Sequence, residues 1–176
     1  MLAITRISHF INYEIFMSFE NLDYLDQWNR VLRWYERLNE IYSGIPHIRP
    51  QPFYEDDIHA FFDNCFHLND WLKNNNRPYL DFVTPGVSSE MMTCRDICIG
   101  DKHLTINYPS NDKNTKFTRC DISLFIGDPH VIKLRYYVNV HDDVIDVKDI
   151  ADKCIIELAS TPFFRHLCPS VLGRTA

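Results

Sequence analysis

Five apolar residues, Ile58, Phe61, Cys65, Leu68 and Leu72, recur in this chain at i, i+3, i+7, i+10 and i+14. Only an α-helix gathers that spacing onto one face, so the stretch from about Tyr54 to Asn74 is predicted to bury one stripe against another helix. The acids Glu55, Asp56 and Asp57 suit the positive end of its dipole. A first helix, from about Asn21 to Tyr42, shows the same recurrence in Leu25, Trp28, Leu32, Tyr35 and Tyr42, with Arg30, Arg33 and Glu36 between them. Gly44 and Pro46 are expected to end it. The following IPHIRPQP reads as an extended connector, because proline cannot donate a helical hydrogen bond. A third helix is expected at roughly 87–100, after the break NNNRP and opened by Pro85-Gly86-Val87-Ser88 with a serine cap.

Beyond Gly100 the apolar period drops to two. Strands are expected at His103–Tyr108, Lys116–Ile126 and Val131–Val140, the last two joined by a Gly127-Asp128-Pro129 turn. A last helix at about 147–160 follows an Asp-rich start and stops near Pro162. The first twenty residues fit a strand or a helix. A run of helices and then a run of strands, without strict alternation, indicates α+β. The predicted architecture is a helical core of three helices and one C-terminal helix, with an inserted antiparallel β meander of about three strands. The chain of 176 residues is expected to form a single domain, 1–176, with a core that needs neither disulfides nor metals.

A net charge of -6 argues against a broad electrostatic nucleic-acid binder, though not against a small basic site. The absence of a Gly-rich phosphate loop excludes P-loop and Rossmann readings, and no cofactor is expected. No apolar run is long enough for a membrane span, and Arg6, His9 and Glu14 interrupt any signal-peptide core, so a cytoplasmic protein without membrane contact is expected. None of the six cysteines forms a Cys-x-x-Cys pair, so they are expected to be free thiols acting as small core residues. A zinc set drawn from Cys65, His67, Cys94, Cys98 and His103 is disfavoured because the side chains point in different directions. Thiol nucleophiles are disfavoured because burial raises the thiol pKa.

Two segments remain as candidate chemistry. In RDICIGDKH, residues 95–103, a helix continuing through Gly100 would set Asp96 and His103 on nearly one face, with Arg95 about 80° round from His103. Asp can fix a His tautomer, and Arg supplies a permanent positive charge for a phosphate. Alternatively, Gly100 terminates the helix, Lys102 and His103 complement its carbonyl end, and Arg95 and Asp96 lie on the surface. The period-two pattern from His103 favours this second geometry. In FFDNCFHLNDW, residues 61–71, Asp63, His67 and Asp70 form an acid-histidine-acid row on one helical face, with Asn74 beyond and Trp71 as an expected core aromatic. That row could hold a base or a metal, or be a polar stripe against a neighbouring helix.

Taken together, FFDNCFHLNDWLKN and CRDICIGDKHL resemble paired signatures of small uncharacterised prokaryotic and phage-borne proteins, over roughly residues 55–104. The arrangement also resembles the HEPN superfamily, helical domains of toxin and phage-defence ribonucleases. The resemblance implies metal-independent endoribonuclease activity in a homodimeric cleft. Arg95 and His103 would be the catalytic pair, Asp96 the polar neighbour and Lys102 a phosphate contact, with His67 and Asp70 as further candidate substrate contacts. The partner would then be RNA. The competing expectation is a non-catalytic protein-interaction module or a subunit of a mobile-element or defence complex. Its basis is the wealth of aromatics, twelve Phe, nine Tyr and three Trp, which exceeds what a small core needs.

Overall fold

The computed structural model describes residues 23–44, 49–77, 79–81, 86–102, 116–125, 131–161 and 164. The expected strand at 103–108, the 127–129 turn, Pro46, Pro162 and the first twenty residues lie outside the described residues. The elements run α1 (Asp23–Ser43), α2 (Gln51–Asn74), α3 (Ser89–Lys102), β1 (Lys116–Phe125), β2 (Val131–Val140), β3 (Asp143–Asp146) and α4 (Val147–Ser160). The three strands form one antiparallel sheet in the order β1-β2-β3. The fold is therefore α+β, with the C-terminal helix after the strands.

α2 packs between α1 and α3, α4 packs against α3, and α1 and α4 both lie on β2. The five-residue stripe of α2 is fully buried. Each such side chain contributes roughly 1.5–3 kcal/mol by leaving water. On α1 the deepest residues are Tyr24, Trp28, Val31, Leu38 and Ile41, whereas the expected Leu25, Leu32, Tyr35 and Tyr42 are only partly buried at its margin. Trp28 stacks on Phe164 with ring centroids 4.6 Å apart.

The helix ends follow local chemistry. Gly44 closes α1 at φ 113°, a conformation that side-chain-bearing residues rarely adopt, and its N–H donates to Glu40 O at 3.1 Å. α2 starts at Gln51, three residues before the expected start, because Pro52 sits in the first turn, where a missing N–H costs no hydrogen bond. At the other end, Arg77 N–H donates to Leu72 O at 2.9 Å and Asn76 N–H to Lys73 O at 3.1 Å, with Asn76 at φ 51°. This is a Schellman cap with asparagine in the left-handed position, and it gives the NNNRP break its physical form. α4 is capped by Asp146, whose side chain accepts from Lys148 N–H at 2.8 Å.

The third strand of the sheet is β3, which the sequence reading did not anticipate. Val140 pairs with Asp143 across a two-residue loop, His141-Asp142, in which His141 has φ 57°. Such loops normally announce themselves with glycine or Asn-Gly, and this one carries neither. β3 ends opposite Tyr137. At the next position of β2, the Tyr42 hydroxyl from α1 donates to Tyr136 O at 3.0 Å and accepts from Tyr136 N–H at 2.9 Å. A side chain thus takes over where the strand turns into α4.

Candidate functional site

α3 carries the first candidate motif. Ser88 caps it, accepting from Met91 N–H at 3.1 Å, as the serine signal predicts. The Ser88 hydroxyl also donates to Glu157 of α4, whose other oxygen accepts from Ser88 N–H at 3.2 Å. Lys153 of α4 bonds Glu90 one residue into the helix. The beginning of α3 is thus fastened to α4 by two acids and a lysine.

From there the helix does not stop at Gly100. It runs on to Lys102, so the expectation of a termination at the glycine is corrected. A helical glycine costs about 1 kcal/mol relative to alanine, and burial along the helix outweighs that. Met91, Thr93, Cys94, Asp96, Ile97 and Cys98 are all buried, an arc of about 220° round the axis that leaves Met92, Arg95 and Ile99 partly exposed. α3 thus buries more than half of its circumference.

That burial decides the environment of the Arg-Asp pair. Asp96 is fully buried, so the surface placement expected for it is wrong. Its Oδ1 accepts from Arg95 Nη1 at 3.3 Å, and the Arg95 side chain keeps 22% of its exposure. A carboxylate taken out of water costs several kcal/mol unless a cation and hydrogen bonds compensate, and Arg95 supplies part of that compensation. Held against the guanidinium, Asp96 can keep Arg95 in one orientation. Lys102 is the last residue of α3. His103 lies outside the described residues.

The row on α2 divides. His67 is half-buried with its ring 6.3 Å from that of Phe66, while Asp70 is exposed. Asp63 Oδ1 is buried with no hydrogen-bond partner. Trp71 is 37% exposed, which corrects its expected place in the core: it lies about 100° round the helix from the centre of the buried stripe. The residue of this segment that the fold uses most is Asn69, which sequence reasoning passed over. Its amide donates to Leu80 O at 2.7 Å and accepts from Leu80 N–H at 2.6 Å, so a buried side chain mimics a strand partner and straps the segment after α2 onto the helix. Its position beside Leu68 and Leu72 on the buried face was the available signal.

Cys65 of α2, Cys94 and Cys98 of α3 and Cys154 of α4 are all buried. Cys94 Sγ–H reaches Phe62 O at 3.5 Å, and Cys154 Sγ–H reaches Glu90 O at 3.6 Å. Burial pushes the Cys65 thiol up and those of Cys94 and Cys154 well up, so they stay protonated. Among the described residues, no three His, Cys, Asp or Glu side chains come together in a way that could hold a metal ion. Among the same residues, no helix is long and apolar enough to cross a membrane.

One surface stands apart from this packed interior. The even-numbered residues of β2, Leu134, Tyr136, Val138 and Val140, face the helices and are buried. Ile122 of β1 sits directly opposite Leu134 and therefore on the same face, yet it is 60% exposed. Among the described residues, the helices cover β2 and Cys120 of β1 packs partly against the core, while Ile122 stays exposed. Compared with protein-family models, curated proteins and solved structures, the chain matches none.

Proposed function

We propose that this protein is a non-catalytic protein-interaction module, with the β1–β2 hairpin as its docking element. The observation that carries the reading is Ile122, an apolar residue on the core-facing side of the sheet that the helices do not reach. An exposed β-branched residue offers apolar area to a partner chain. In the charged motif the Asp96 carboxylate is buried, so it offers no exposed acid of its own. The test is a photo-crosslinking residue placed at position 122, with the exposed Arg30 position on α1 as control. Purified concentrated protein covers self-association, and candidate subunits encoded beside it cover a different partner. A single adduct of defined mass at 122 alone is expected, reduced by Val131→Pro, which distorts the hairpin. Equal labelling from both positions contradicts the reading.

A second reading, a metal-independent HEPN-like ribonuclease of toxin or phage-defence type, is favoured by the passage of α3 through Gly100. In that mechanism His103 moves a proton to or from the 2′-hydroxyl or the leaving oxygen, and Arg95, oriented by Asp96, stabilises charge on the phosphorane-like transition state. RNA incubated with the protein in chelator then yields cyclic-phosphate ends. Arg95→Ala and His103→Ala abolish cleavage if these residues carry it. Cleavage persisting in the double variant excludes them.

A further inference from the structure

We draw no further inference here: the strongest candidate, the buried cluster of Cys65, Cys94, Cys98 and Cys154 where α2, α3 and α4 meet, carries nothing because its donors do not converge to hold an ion and the coupling among its thiols rests on their raised pKa values alone.

Discussion

Asp96 follows Arg95 directly in the chain, and the two side chains meet, but only the arginine keeps contact with water. Residue spacing carried no sign of this. An Asp between Cys94 and Cys98 can face solvent or core, depending on how many sides of its helix are covered, and that is a tertiary fact. The cysteines were legible, because their apolar positions mark them as core residues, and Cys65, Cys94, Cys98 and Cys154 are indeed buried. Their protonation gives a direct consequence. Native protein treated with iodoacetamide at mildly alkaline pH should leave Cys65, Cys94 and Cys154 unlabelled in peptide mass spectra, with full labelling only in denaturant. Labelling of any of the three at the rate of a free thiol in native protein would show that the core opens more readily than its packing implies.

At the scale of elements, the first two helices and the two long strands were readable from period, and the third and last helices from the breaks and caps that bound them. The last helix, expected at about 147–160, is observed at Val147–Ser160. Period failed where no local signal exists. β3 is four residues long and enters through a loop without glycine, and α3 passes a glycine that local propensity would use as a stop. Ser88 shows local and tertiary roles combined in one hydroxyl. Ser88→Ala should cost about 1 kcal/mol for the lost cap, and more because Glu157 loses a donor. Urea melts of Ser88→Ala against Ser160→Ala, whose hydroxyl bonds only its own helix, measure the difference. Equal midpoints would show that the α3–α4 fastening is not stabilising.

The neighbouring Glu90–Lys153 pair makes a pH prediction. Burial pushes the Glu90 carboxyl up, but hydrogen bonds from Lys153, its own backbone N–H and Ser89, with the lysine charge, more than offset this and leave it below its ordinary 4.5. A depressed carboxyl stabilises the fold above its unfolded pKa, and that contribution is lost as pH falls through the folded value. The stability gap between wild type and Glu90→Gln should therefore be open at neutral pH and close as pH drops below about 4.5. A gap that is constant across this range would mean that the pair is screened by solvent.

For the whole molecule, the decisive feature among the described residues is that most of α3 is buried, Asp96 included, while Ile122 of β1 is exposed. Asp96, read from the sequence as a surface residue, is buried beside Arg95, while Ile122 on the core-facing side of β1 is exposed. The exposure of Ile122 was not legible in the sequence, because the register that puts it opposite Leu134 depends on how the strands pair. The central claim is that the Arg95–Asp96 pair belongs to the core, and equilibrium urea unfolding of Asp96→Ala tests it most directly. Removing one partner of a buried ion pair costs about 3–5 kcal/mol, and the lower end applies because Arg95 can still reach water. A loss of about 3 kcal/mol with unchanged cooperativity is the predicted result; a midpoint indistinguishable from wild type would contradict it.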